Sequence, residues 1–347
     1  MKKLSILLLF FTLSACSEAE EGSTSEEDNE DYVTEIQGPI PAPASGYGSL
    51  GSYTVAKVTF PSPLYSGRNV EIFYPKEITT PRPVIFFLHP YGGERSVYNI
   101  GLFNFITRRG YVVVFAPYPT FDVSIDERYN ILWESFVKAV ESYPNLIDSS
   151  RVGFMGHSFG GGAAISLAYK GFVEKKWGEN GRFIFTMAPW YSYNITQEQL
   201  QDFPTNTKMI SQIYDDDTVN DHRMAIDIYN NINIADEDKD FILVKSTVLP
   251  SYTYVADHGM PNSRKAYDAY DFYAIYRLLD AMTDYVFNNN QAAKNTALGN
   301  GSAEQITMPS YKGQALAPLE VTDHPTPKYD ESKYEFQYGD TLNPRRE

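Results

Sequence analysis

Three kinds of residue or segment are scarce in this chain, and each scarcity excludes something. There is one cysteine, Cys16, among 347 residues, so neither an intrachain disulfide framework nor a cysteine-built zinc cage can form. Basic residues number 29 against 44 acidic ones, a formal net charge of −15. Binding to a phosphate backbone needs clustered Lys and Arg, so nucleic acid is not expected as a partner. The N-terminal apolar run, residues 4–13, falls well short of the roughly 20 residues that a bilayer-spanning helix requires. Ring surface, by contrast, is abundant: 27 Tyr and 21 Phe can drive a core and exclude wholesale disorder. The length suits one sizeable domain, or two at most.

Residues 1–16 have the layout of an export signal: Lys2 and Lys3, the apolar run, then Leu13-Ser14-Ala15-Cys16. Leu-Ser-Ala-Cys resembles the lipobox of bacterial lipoproteins, in which the cysteine is acylated and becomes the new N-terminus. The resemblance implies an exported protein anchored through Cys16, on the periplasmic side of an outer membrane or at the cell surface. A cleaved signal without lipidation is the alternative. Residues 17–31 then bring eight carboxylates and no cation, and residues 38–44 read Gly-Pro-Ile-Pro-Ala-Pro-Ala. Residues 17–45 are therefore expected to form a self-repelling, extended tether. From residue 44 onward 35 acidic and 27 basic residues remain, so the body is only moderately acidic.

Residues 46–288 alternate short β-branched and aromatic runs with longer helical ones, which argues for an α/β sheet rather than a barrel of hairpins. Strands are expected at 53–59, 70–74, 84–88, 111–115, 152–155, 183–187, 209–214, and at 241–248 or 253–255. Helices are expected at 98–109, 127–142, 160–169, 223–230 and 267–287. The runs Val84-Ile-Phe-Phe-Leu88 and Tyr111-Val-Val-Val-Phe115 are apolar throughout, as in a parallel sheet covered on both faces. The expected architecture is a doubly wound, mostly parallel sheet of about eight strands. Residues 289–347 have weak periodicity and are expected to be an irregular tail, draped over the body or partly disordered.

Chemistry concentrates at Gly156-His157-Ser158-Phe159-Gly160, which joins an expected strand to an expected helix. A serine on such a sharp turn projects at the C-terminal edge of the sheet, provided small neighbours let helix and strand approach, and Gly156 and Gly160 are those neighbours. Serine needs a base and an orienting acid. Five histidines are available. His157 belongs to the turn and is expected to point away, His89 ends a strand, His222 falls in the acid stretch and His324 in the tail. His258, in a loop late in the chain, is the expected base. The acid is expected at the end of strand 209–214, in Asp215-Asp216-Asp217; Asp217 is the choice and Asp216 the fallback. Oxyanion donors are expected from the backbone N–H groups of Phe159 and of Tyr91, in His89-Pro90-Tyr91-Gly92-Gly93, since Pro90 has none to give. Calcium at the Asp215–217 cluster or at residues 236–240 is the metal alternative. The latter fails as an EF-hand because Phe241 stands where glycine is required, and no metal or organic cofactor is needed.

These residues resemble the α/β-hydrolase superfamily over residues 53–287, and within it the dienelactone hydrolase and cutinase-like, polyester hydrolase group. The likeness is carried by Pro90-Tyr91, Gly156-His-Ser-Phe-Gly-Gly161, Ala188-Pro-Trp-Tyr-Ser192, Asp217-Thr-Val219 and His258. It implies a serine esterase acting on ester-bearing small molecules, lipids or polymers, and it places Trp190 in the acyl subsite with Tyr91 facing it; a monomer is expected. About 15 residues separate Pro189 from Pro204, too few for a large lid, so an open cleft is implied. An amidase, peptidase or acyltransferase could use the same triad, and a surface-binding lipoprotein with a broken triad is the non-catalytic alternative.

Overall fold

The structure, a computed structural model, describes residues 33–346; Cys16 and the acidic run 17–31 lie outside the described residues. The body is α/β. Its strands are β1 (Val55–Pro61), β2 (Asn69–Pro75), β3 (Arg82–Leu88), β4 (Val112–Phe115), β5 (Ile147–His157), β6 (Gly181–Met187), β7 (Thr207–Tyr214) and β8 (Lys239–Val244). A small hairpin of β9 (Thr247–Leu249) and β10 (Tyr252–Tyr254) follows, then a two-residue pair, β11 (Ser310–Tyr311) and β12 (Gln314–Ala315), and finally β13 (Glu320–Thr322). The main sheet has nine strands in the order β1-β2-β4-β3-β5-β6-β7-β8-β13. Strands β4, β3, β5, β6, β7 and β8 run parallel to one another. Strands β1, β2 and β13 pair antiparallel at the two margins.

Side chains alternate across this sheet, and both faces are apolar because helices cover both. Ile85, Phe87, Val113 and Phe115 face one way, toward α1 (Ile100–Arg108) and, later in the chain, the helix Arg277–Phe287. Val84, Phe86, Val112 and Val114 face the other way, toward α2 (Ile125–Ser142) and α3 (Phe159–Tyr169). The N-terminus of α2 is fixed by a capping box, Ser124 accepting from the Glu127 N–H while the Glu127 carboxylate accepts from the Ser124 N–H. A short α4 (Gln197–Gln201) and α5 (Arg223–Asn231) follow, and Arg277–Phe287 is α6. Among the described residues no helix is long and apolar enough to cross a membrane.

Two segments outside the expected core lie on it. Residues 33–45 are extended, as anticipated for a tether, but lie on the body: the Val33 and Gln37 N–H groups donate to the Ser263 and Tyr267 carbonyls, both at 2.8 Å, and Ile40 is only 3 % exposed. Prolines keep this stretch extended, and the apolar side chain of Ile40 is more stable under the fold than in water. Residues 289–346 lie on the body as well, one of the two arrangements expected of the tail. Glu320, Val321 and Thr322 pair with Leu243, Ile242 and Phe241, so the tail supplies the ninth strand, and a later segment of it reaches the site described next. The described residues form one compact unit.

Candidate active site

Parallel strands deliver their C-terminal ends to one edge, and five loops meet there: those after β3, β5, β6 and β7, and the loop following β10. Ser158 stands between β5 and α3 with φ 55° and ψ −122°, a conformation that costs a non-glycine residue about 1–3 kcal/mol. Backbone bonds on both sides of the residue offset that strain. Its N–H donates to the Met187 carbonyl at 2.9 Å, and its carbonyl accepts from the N–H groups of Gly162 at 3.1 Å and Trp190 at 2.8 Å. The turn closes only because its neighbours lack side chains. A Cβ on Gly156 would stand 2.2 Å from the Gly160 carbonyl oxygen, and one on Gly160 would stand 2.0 Å from the Leu88 carbonyl oxygen.

Ser158, His258 and Asp217 come together as expected. His258 Nε2 lies 2.9 Å from Ser158 Oγ, and its Nδ1 lies 2.8 Å from Asp217 Oδ2. An ionised carboxylate can only accept, so Nδ1 carries the proton, and Nε2 presents its lone pair to the serine hydroxyl. Asp217 is fully buried. Burial opposes its charge, but the His258 hydrogen bond and charge, the Val219 N–H and the nearby His222 outweigh this, holding it below the ordinary carboxylate range. Its other oxygen accepts from the Val219 and Asn220 N–H groups at 2.7 and 3.2 Å.

Asp216, the fallback acid, points elsewhere. It is exposed, its carboxylate accepts from the Ser246 hydroxyl at 2.6 Å, and Ser246 Oγ in turn accepts from the Ala256 N–H. Asp216 thus ties the acid loop to the start of the base loop. Asp215 accepts from the Tyr329 hydroxyl. The carboxylates of residues 236–240 diverge, Asp238 to Lys208 and Asp240 to Gln305. Among the described residues no group of three or more His, Cys, Asp or Glu side chains is placed to hold a metal ion.

The loop after β3 lies against the start of α3, with the His89 carbonyl oxygen 2.5 Å from where a Gly160 Cβ would be. Residues 90–93 form a turn closed by the Gly93 N–H to the Pro90 carbonyl, with Gly92 at φ 75° as a type II turn demands. Beneath it, buried His89 stacks on Tyr118 at 3.8 Å, its Nδ1 2.7 Å from the Pro90 carbonyl and its Nε2 accepting from the Tyr118 N–H. Burial pushes its pKa down to about 4. Tyr91 is 50 % exposed, and its ring meets those of Phe159 and Phe121 edge-on above the buried Arg128 guanidinium. Both expected oxyanion donors, on Tyr91 and Phe159, therefore belong to segments at the nucleophile. The positive end of α3 adds to the local field.

His157 departs from expectation. It does not point away from the site: its Nε2 lies 2.7 Å from the His258 carbonyl, so Nε2–H donates there and steadies the base loop from below. Burial and the neighbouring His258 push its pKa down to about 3, which keeps the ring neutral. No feature of a lone histidine beside the nucleophile distinguishes the two orientations. His222 is likewise buried, with Nε2 3.0 Å from the Tyr214 carbonyl, and His324 is exposed.

Trp190 begins the loop beside Ser158 and is half-buried; its ring packs edge-to-face on Phe336 at 4.8 Å. Phe336 belongs to the tail and was not among the expected site residues. The signal for it is the alternation Tyr334-x-Phe336-x-Tyr338, the period of a strand. Comparison of the chain with protein-family models gives no match, and comparison with curated proteins gives none either.

Proposed function

We propose that this protein is a serine ester hydrolase of the α/β-hydrolase type. The carrying observation is the continuous relay from Ser158 Oγ to His258 Nε2 and from His258 Nδ1 to Asp217. Ser158 Oγ attacks the ester carbonyl while its proton passes to His258 Nε2, and Asp217 stabilises the imidazolium that results. The N–H groups of Phe159 and Tyr91 receive the developing oxyanion. As the tetrahedral adduct collapses, His258 returns its proton to the departing alcohol. It then takes a proton from water, which attacks the acyl-enzyme, and passes that proton to Ser158 Oγ as the acid is released. The residues supply every proton transfer themselves. The likeness to dienelactone hydrolases and cutinase-like polyester hydrolases supports esters as the substrate class, with Trp190 on the acyl side.

Full-length protein in mild detergent should hydrolyse p-nitrophenyl esters, and Ser158→Ala should lower turnover by on the order of 10³-fold or more and abolish labelling by a fluorophosphonate. Equal labelling of the variant would remove Ser158 as nucleophile, and p-nitroanilides cleaved as fast as esters would favour an amidase. Anchoring through Cys16 is a separate part of the proposal, resting on the lipobox resemblance. Cys16→Ala should move the protein from the membrane fraction to the soluble one, and its retention there would defeat the anchor.

A further inference from the structure

We propose that Phe336, carried to the site by the C-terminal tail, is the second wall of the acyl pocket and sets how long an acyl chain Ser158 accepts. The inference rests on the ester hydrolase reading and deepens it.

The tail reaches the site through a single parallel bridge to the acid loop, Phe336 opposite Asn220. The Glu335 and Phe336 N–H groups donate to the Thr218 and Val219 carbonyls at 2.8 and 3.0 Å, and the Asp221 N–H donates to the Phe336 carbonyl at 3.1 Å. Val219 is also the residue whose N–H holds Asp217. The backbone of Phe336 is thus one peptide removed from the acid's own hydrogen bonds, while its ring leans on Trp190, whose N–H is bonded to the Ser158 carbonyl. The ring therefore bridges the acid loop and the nucleophile's neighbour.

This segment is a fixed wall rather than a lid. The Tyr191 hydroxyl donates to the Gln337 carbonyl at 2.6 Å, the Tyr338 N–H donates to Asp221 at 3.0 Å, and Arg223 joins Asp221 to Glu331. Farther along, Arg345 pairs with Asp227 at 2.5 Å. The residue is only half-buried, unlike the core aromatics, so one part of it packs on Trp190 and another stays open. An acyl chain lying along Trp190 meets this ring, and apolar discrimination of about 10- to 200-fold is within reach of such a contact. Removing the ring leaves every backbone bond of the strap intact, so pocket length can be changed without releasing Asp217.

The test measures kcat/KM for p-nitrophenyl butyrate and decanoate with the full-length protein, Phe336→Ala and Phe336→Trp, alongside labelling by a small alkyl fluorophosphonate. Phe336→Ala should raise the decanoate-to-butyrate ratio about tenfold and Phe336→Trp should lower it, with Ser158 still labelled to completion by the fluorophosphonate in both. A merely structural role would depress both esters and the labelling alike, and that result overturns the proposal. An active wild type whose ratio is the same in all three proteins overturns it too, while leaving the hydrolase intact. A wild type inert to both ester and fluorophosphonate brings down the hydrolase reading and this one together.

Discussion

The nucleophile turn and the C-terminal strap both shape the same site, yet they are built in opposite ways. In the turn, the decisive contacts are backbone against backbone over short distances: Gly156 against Gly160, and Gly160 against the Leu88 and His89 carbonyls. In the strap, residues 329–346 reach partners more than a hundred positions away, Phe336 to Val219 and Tyr191 to Gln337. The turn's geometry is imposed by sterics that admit essentially one residue type. The strap's geometry comes from ladder bonds that any residue except proline can make, with specificity left to a few rings and ion pairs. On the proposed reading, chemistry is written into the first region and substrate preference is delegated to the second.

The contrast is sharpest when one methyl group is added to each. At Gly160 a Cβ would lie 2.0 Å from a carbonyl oxygen that belongs to the central sheet, so no rotamer change can relieve it. Alanine is the better helix former, but that gain of about 1 kcal/mol is smaller than the clash. Gly160→Ala is expected to destabilise by roughly 3 kcal/mol or more, a fall in Tm of about 5 °C or more, with loss of ester hydrolysis. At Gly339, in the strap, a Cβ meets nothing within 4 Å. Gly339→Ala should leave Tm and kcat/KM unchanged within error. Thermal unfolding of the two variants side by side measures the difference, and equal effects would mean that the strap is as sterically constrained as the turn.

The same contrast explains what could be read in advance. The core strands were legible because continuous apolar runs such as Val84–Leu88 have few other uses, and the observed strands begin and end within a few residues of the expected ones. The elbow was legible because its constraint is local, and His258 because only five histidines compete for the place beside Ser158. The acid was legible to within one residue: a cluster of three aspartates at a strand end does not say which one turns inward. What stayed hidden depends on partners distant in the chain. Strand β13 is three residues long and holds one apolar side chain, so it forms only because Phe241, Ile242 and Leu243 offer an edge. His157 is placed by where the His258 carbonyl falls, and Ile40 by the Tyr254 hydroxyl that receives its N–H.

The acid loop belongs to both regions, since it carries the triad's third member and receives the strap, and its adjacent aspartates separate the two roles. Asp217 holds the Val219 and Asn220 N–H groups on Oδ1 and His258 on Oδ2. In Asp217→Asn those two backbone donors keep the amide oxygen on their side, which turns the NH₂ group toward His258 Nδ1. That nitrogen must then accept, the proton moves to Nε2, and the base no longer offers a lone pair to Ser158. A loss in kcat on the order of 10⁴-fold is expected, with little change in Tm. Asp216→Asn keeps an amide oxygen able to accept from the Ser246 hydroxyl, so the link between the acid and base loops survives. Its effect on kcat should stay within about threefold, because no proton position in the relay depends on it. Steady-state kinetics of both variants on one ester measures the gap, and equal, mild losses would place the orienting acid elsewhere and separate the strap from the chemistry it borders.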